Sequence, residues 1–459
     1  MPKSFYALKY IVILLIGSSI SLYSSNLAVL FVYILFFVFG HLLIGLIFSK
    51  ENIRDSFNIF FTFFLIYLAY SFITNEVFVS DPYRDYFVAR DSLQFFGEID
   101  KMLKGNNSLL GCYKIINTEF HYTDYSAFSL ICVTIGYFAN LIGHNSILVQ
   151  KVQIVFLAAF IICFIYNIGV RLWDKKDAKK AAILYGLFSW IFFYSAVLLR
   201  DLDVAFVYAF AVYIFFRKIS IKNFLLLCIL SLIAGKFRPE NGLFFLAFIG
   251  MYLFLYYLQS KKSLEQSIAI IFSVVALLAA LFALGIIGSA IETLTRTTSN
   301  YQDLSLSDAN KDGIGILLLK LPFGVRNVAR AIYSQIAPFP FYLAYGMFEE
   351  SIWTTPAAAA ALFWFGLWSG IIFGFRNRVL RANIDKRILL LFIIGVLLIL
   401  VASAGASDVR RIMCIYPTIY ITGFYFFRRM KRTVWRRLLL NSAILYAGLI
   451  ILYLFLKIN

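Results

Sequence analysis

Acids and bases set at the ends of long apolar runs are the residues of this sequence best placed to do chemistry. The stretch SDPYRDYFVARD, Ser80 to Asp91, holds Asp81 and Asp85 four residues apart, with Arg84 and Arg90 beside them. A helix beginning after Pro82 brings both carboxylates toward one face, and the sequence on to about Leu103 reads as amphipathic. LLRDLD adds Arg200, Asp201 and Asp203; AGKFRPENG adds Lys236, Arg238 and Glu240; GASDVRR adds Asp408, Arg410 and Arg411 ahead of Pro417. Arginine holds phosphate oxygens in a planar two-bond fork and keeps its charge, while a carboxylate within hydrogen-bond reach of a hydroxyl acts as a general base. Such a set suits transfer from a phosphate leaving group to a hydroxyl nucleophile. Asp81 is the first candidate for the base and Asp85 the second. The arginines and Lys236 are candidates to hold phosphate, and Asp201, Asp203 and Glu240 to orient them or to bind sugar hydroxyls.

Each cluster taken alone has a plainer reading. Asp81 can cap a helix whose first position is Pro82, and a tight turn between spans needs polar residues, so an acid beside a base there can be a local ion pair. Consecutive turns that keep arginine where topology should deplete it favour a shared role.

The elements that must position these residues follow from composition. Of 459 residues 62% are apolar and 14% charged, which excludes an ordinary soluble domain. The 50 Phe and 29 Tyr sit in uncharged runs, which excludes disorder. Apolar runs able to cross a ~30 Å hydrocarbon core as helices recur at about 6–23, 27–48, 57–74, 126–143, 147–170, 180–199, 202–216, 222–235, 241–258, 267–288, 355–374, 387–404, 412–427 and 438–456. The chain is read as an all-α polytopic integral membrane protein whose first run is an uncleaved span rather than a signal peptide.

The net charge of +18 belongs to this topology and calls for no nucleic acid. One set of loops is basic: Lys3 and Lys9; Lys50 and Arg54; Arg171 to Lys180; Arg217 to Lys222; Lys261 and Lys262; Arg376 to Arg387; Arg428 to Arg437. These are the expected cytoplasmic loops. Alternation has one fault if every run crosses, so 126–143, which ends in Gly143-His144-Asn145, is expected to lie in the outer interface or dip into the membrane without crossing; the alternative is that one of the first two runs does not span. That leaves about thirteen transmembrane helices, N-terminus inside and C-terminus outside. The chain is one membrane domain, 1–459. Its parts are three N-terminal spans (1–74), an outer loop with interfacial helices (75–146), central spans (147–288), a second outer loop (289–354) and C-terminal spans (355–459). In the second outer loop, Ile336 to Glu350 reads as an interfacial segment.

Other chemistries lack their residues. The three histidines, His41, His121 and His144, form no HExxH and no Cys/His spacing, and the five cysteines suggest neither a disulfide framework nor a metal cluster. Cys112 is read as standing alone in a polar loop. No phosphate-binding glycine loop follows a strand, which disfavours an ATP-driven pump or a Rossmann-type nucleotide-sugar enzyme.

The outer acid loop, LLRDLD, RPENG and DVRRIMCIYP together resemble the GT-C superfamily of membrane glycosyltransferases, particularly the branch with the aminoarabinose transferases of lipid A and the protein O-mannosyltransferases. The segment Ile165 to Gly186 is similar to the family's join between two early spans. The resemblance implies a catalytic acid at Asp81 or Asp85, interfacial helices after it, and sugar transfer from a polyprenyl-phosphate-linked donor to a glycan, lipid or protein acceptor. It requires no cofactor, although some relatives bind a divalent metal at such acids. Two departures stand out: three spans precede the acid loop where the branch has one, and the acid pair reads DPYRD. Both also fit Wzy-type polysaccharide polymerases. A transporter or flippase for lipid-linked saccharide is the alternative of another class, disfavoured because the charges gather at one edge and no repeat is visible. The expected location is a bacterial inner membrane, with the site facing outward.

Overall fold

The computed structural model describes residues 4–77, 84–106, 108–116, 126–259, 264–292, 318, 321–335, 355–382, 384–405 and 409–458. Among these residues every regular element is helical. The first half runs α1 (Ser4–Tyr23), α2 (Leu27–Ile47), α3 (Ile53–Phe72) with a π-helical end at Ile73–Val77, α4 (Arg84–Lys104), α5 (Leu109–Ile116), α6 (Ser126–Ile142), α7 (Ile147–Leu172), α8 (Lys175–Phe188), α9 (Trp190–Tyr194) and α10 (Asp201–Phe215). The second runs α11 (Ile221–Phe237), α12 (Pro239–Gln259), α13 (Leu264–Ala283), α14 (Phe323–Ser334), α15 (Thr355–Arg376), α16 (Arg378–Ala382), α17 (Lys386–Gly405), α18 (Val409–Met413), α19 (Tyr416–Arg429) and α20 (Arg432–Ile458). A short helix, Ile286–Glu292, leaves the end of α13 at 65°. Gly285 makes that break, because its φ of +69° is open to a residue without Cβ.

Among the described residues eight helices are long and apolar enough to cross a membrane, or nine if the bent pair is one span. The sequence reading expected about thirteen. The difference lies mainly in α8, α10, α11 and α19, whose 14, 15, 17 and 14 residues fall short of a full crossing. Large apolar side chains such as Leu46, Phe272 and Phe282 face outward, as a lipid-embedded surface requires. The protein is an all-α, membrane-embedded chain.

Where the sequence showed one domain and no linker, the chain groups into two compact units. One comprises Met1–Gly186 with Ile191–Phe206, and the other Leu187–Trp190 with Val207–Asn459. A boundary falls inside α10, and a continuous helix carries no compositional mark of a linker.

In the first unit α7 is the central post. Its sequence is apolar on all sides, and nearly every residue is buried against α2, α3 and α6. Rings from α2, α3 and α7 (Phe37, Phe57, Phe60, Phe64, Phe156 and Phe160) fill the seam. Deeper polar contacts fix register: Asn167 Nδ2 donates to Ser56 Oγ at 2.8 Å, and the Tyr166 hydroxyl donates to Asp55 Oδ2 at 3.0 Å. Lys175 Nζ donates to the Glu51 carbonyl at 3.0 Å, so the loops bearing Lys50 and Lys175 lie at one end. At the other end Asn26 Nδ2 donates to the His144 carbonyl at 2.9 Å.

The same contacts place α6. Folded straight back along α7 from the 143–146 turn, Cys132 would face Leu157. Instead its carbonyl accepts from Gln150 Nε2 at 2.9 Å, and its sulfur lies 2.9 Å from Gln153 Nε2. The helix therefore runs obliquely across the end of α7. All five cysteines are buried and unbridged, and Cys112 lies inside α5 rather than in a polar loop.

In the second unit α15 and α19 run side by side, Trp364 stacking on Tyr416 at 3.8 Å, while Ser442 of α20 donates to Ser369 Oγ at 2.7 Å. Arg387 Nη1 donates to the carbonyls of Phe216 and Arg217 at 3.2 and 3.4 Å, and Arg429 lies 4.2 Å over Tyr425, whose hydroxyl accepts from Asp385 N. The basic loops of this unit thus share one end as well.

Candidate functional site

In the first unit the end opposite the basic loops is polar and closed. Asp201 and Asp203 occupy the first turn of α10, where a carboxylate is favoured by the helix dipole. They are 1% and 3% exposed. One oxygen of Asp203 has no hydrogen-bond partner among the described residues. Arg200, just before the helix, lies 5.7 Å over the ring of Phe95 on α4, and Phe95 packs edge-on against Phe128 of α6. Helix α4 also carries Arg84, Asp85 and Arg90 in its first two turns. It begins where a helix was expected after Pro82, but the side chains of these three lie outside the described residues. So does the side chain of Asp91, and Asp81, His121, Asp408 and the segment Ile336 to Glu350 lie wholly outside them.

Three residues that sequence reasoning missed belong to this end. Gln150, Lys151 and Gln153, in the first turns of α7, are 0%, 1% and 2% exposed. Lys151 Nζ donates to Asn75 Oδ1 at 3.0 Å, and Asn75 in turn donates to Glu76 Oε1 at 2.7 Å. The signal was the polar group QKVQ opening an otherwise apolar span, where an ionisable residue costs about 2.5–3.5 kcal/mol and marks function by default.

In the second unit the RPENG turn is the tip of the α11–α12 hairpin. The hairpin closes tightly because Gly235 and Gly242 face each other, and Ser231 Oγ donates to the Gly242 carbonyl at 2.9 Å. Lys236 and Arg238 sit at the C-terminal end of α11 and Glu240 in the first turn of α12, each sign matched to its helix terminus. Arg238 and Glu240 are 5% and 6% exposed, and Lys236 is half-buried. The Tyr208 hydroxyl of α10 donates to Asn241 Oδ1 at 2.9 Å and lies within electrostatic range of both Glu240 and Cys414. Cys414 Sγ reaches the Arg410 carbonyl at 3.8 Å, one turn along from it. Arg410 and Arg411 are partly buried.

Helix α14 adds two more cations that the sequence reading passed over. Its apolar residues Val325, Val328 and Ile332 point outward, while Arg330 and Ser334 are buried against the side of α17, Ser334 within 3.1 Å of Ser403. That inversion suits a helix in contact with lipid. Burial, and Arg326 one turn away, pull the Arg330 pKa below its ordinary value. An arginine remains charged even so, and it favours an anion nearby. The periodic apolar positions in FGVRNVARAIYS were the available signal.

Among the described residues no three His, Cys, Asp or Glu side chains converge as metal ligands would. Compared with known proteins, the sequence matches no family model and no curated protein.

Proposed function

We propose that this protein is a membrane glycosyltransferase of GT-C type. It moves a saccharide from a polyprenyl-phosphate-linked donor to a hydroxyl acceptor on the outer face of a bacterial inner membrane. Asp81 or Asp85 is the general base. Arg238, Arg410, Arg411 and Lys236 hold the donor phosphate, assisted by Arg84, Arg90 and Arg200, while Asp201, Asp203 and Glu240 orient cations or bind sugar hydroxyls. The basic loops are cytoplasmic, the N-terminus is inside and the C-terminus outside, and α6 is interfacial, in keeping with its oblique path across α7.

The observation that carries this reading is the burial of Arg238 and Glu240 at a helix-hairpin tip. A turn that needs only to be polar leaves its charges in water, because desolvating them costs several kcal/mol per ion. Burial at a helix end instead suits a preorganised cation waiting for a phosphate.

The test is complementation of a strain lacking the gene, scoring surface glycans at matched membrane levels with Asp81→Asn, Asp85→Asn and Arg238→Ala. Loss of one glycan in Arg238→Ala and in one of the aspartate variants is expected, and the size of the missing glycan separates single transfer from polymerisation. Full activity in all three variants sinks the proposal.

A further inference from the structure

The polar end of the first unit contains more hydrogen-bond acceptors than its own donors use. Gln150 spends its amide N–H groups on the Cys132 carbonyl and on Asn145 Oδ1, at 2.9 and 2.8 Å, and Gln153 directs its amide nitrogen at the Cys132 sulfur. Their carbonyl oxygens, Gln150 Oε1 and Gln153 Oε1, are fully enclosed and have no partner among the described residues. Asp203 Oδ2 is in the same condition, and its carboxylate lies within electrostatic range of Cys132, around which both glutamines gather. The two glutamines that hold Cys132 thus each keep an unmatched oxygen, and each of the three acceptors belongs to a side chain at most 3% exposed. The amide nitrogen of Asn145, whose own oxygen accepts from Gln150, is an unmatched donor beside them.

Buried acceptors without donors are costly, and a native protein keeps them where a ligand or water completes them. The chemistry of the missing group follows from the count. It must bring several hydrogen-bond donors and accept at least one, and it must do so at the end of membrane helices. A phosphate, having only acceptors at neutral pH, would worsen the imbalance. A ring of hydroxyl groups matches it, since each hydroxyl donates once and can also accept.

We propose that Gln150, Gln153 and Asp203 form a subsite for the hydroxyl groups of a saccharide, separate in chemistry from the arginines that take phosphate. The assignment rests on the transferase reading for its donor class, but the cluster of unmatched acceptors stands on its own geometry. Gln153 and Asp203 act as binding residues for the sugar, and Gln150 holds α6 while offering its remaining oxygen.

The experiment uses the full chain in detergent and follows thermal unfolding with three probes. These are free glucose, galactose and mannose; the same sugars as prenyl-phosphoryl hexoses; and the sugar-free prenyl phosphate. At least one sugar-bearing probe should stabilise the wild type beyond the sugar-free lipid. In Gln153→Met, which keeps the shape but removes an unmatched acceptor, the unliganded melting temperature should hold or rise. Apparent affinity for that sugar should then fall at least tenfold, while the shift from prenyl phosphate stays. Asp203→Asn should weaken the sugar-dependent shift in the same way, and it serves if the methionine variant folds poorly. The subsite is overturned if sugar-bearing and sugar-free probes act alike on the wild type, the acceptors then being matched by water. It is also overturned if both variants keep the sugar-dependent shift. A shift from free sugar with none from prenyl phosphate upholds the subsite and removes the lipid-phosphate donor instead.

Discussion

The two ends of the first unit hold similar residue types in opposite environments. At one end Lys50, Arg54, Arg171, Lys175, Lys176, Lys179 and Lys180 are exposed; Lys175 bonds a backbone carbonyl and Lys180 a neighbour one turn away. At the other end Lys151, Asp201 and Asp203 are almost fully enclosed, with Gln150 and Gln153 beside them. Exposed charge is what orientation in a membrane requires, since the positive-inside rule counts charges near the surface and asks nothing of their geometry. Enclosed charge has a desolvation cost that topology never demands. The difference separates residues that place the chain from residues that do something with it.

The largest effect should come from Arg238. Replacing it by alanine is expected to lower transfer on the order of 100-fold or more, the loss typical of a preorganised group that stabilises developing charge. Arg238→Lys keeps the charge but not the planar fork, and should recover only part of the activity. Equal, small effects from both substitutions would put the buried tip in the same class as the exposed loops.

Lys151 against Lys176 sharpens the comparison within one residue type. Lys151→Met leaves the Asn75 oxygen without its charged donor inside the fold, and about 1–3 kcal/mol of stability should go with it. Lys176→Met should stay within about 0.5 kcal/mol of wild type, as surface substitutions do. Thermal denaturation of both variants in the same detergent measures the pair.

This contrast also explains what could be read from the sequence. A long apolar helix carries its own signal, so α7, expected at 147–170, is Ile147–Leu172, and α15, expected at 355–374, is Thr355–Arg376. The run 126–143 was singled out because loop charges on either side of it conflicted, and it forms the 17-residue α6. Burial was not legible. Whether Gln150 or Asp203 is enclosed depends on which helix covers it, and α6 comes to lie over α7 through contacts that no local pattern encodes. The acids and bases of LLRDLD and RPENG could be singled out by type, but not their depth. Helix α14 was hidden because its apolar positions face outward, and its polar ones read as loop.

A comparable effect tests the hairpin that carries Arg238. A Cβ added at Gly242 would stand 2.9 Å from Ile286 Cγ2 and 3.1 Å from the Gly235 Cα. The isoleucine can turn aside, but the facing backbone cannot, so the two helices must part by a few tenths of an ångström. Gly242→Ala should cost about 1–3 kcal/mol. It should also lower activity in step with Arg238→Lys, because the tip moves with the hairpin. Lower stability with unchanged activity would detach the tip from the chemistry.

The smallest effect belongs to the exposed end. Lys180 Nζ lies 3.0 Å from Asp177 Oδ1 across one turn of α8, with the lysine side chain 57% exposed. Water screens such a pair, and two long side chains lose freedom to make it, so a double-mutant cycle with Asp177→Asn and Lys180→Gln should return a coupling of about 0.3–0.5 kcal/mol. Asp177→Asn alone should cost somewhat more than that coupling. The aspartate also stands in the first turn of α8, where a carboxylate interacts favourably with the helix dipole by about 0.3–1 kcal/mol, a contribution that Lys180 does not share. High salt should erase most of the coupling, which it would not do for an enclosed pair. A coupling above 1 kcal/mol that survives salt would mean that the basic end is organised as tightly as the polar one. Exposure would then no longer separate the charges that orient this chain from those that act.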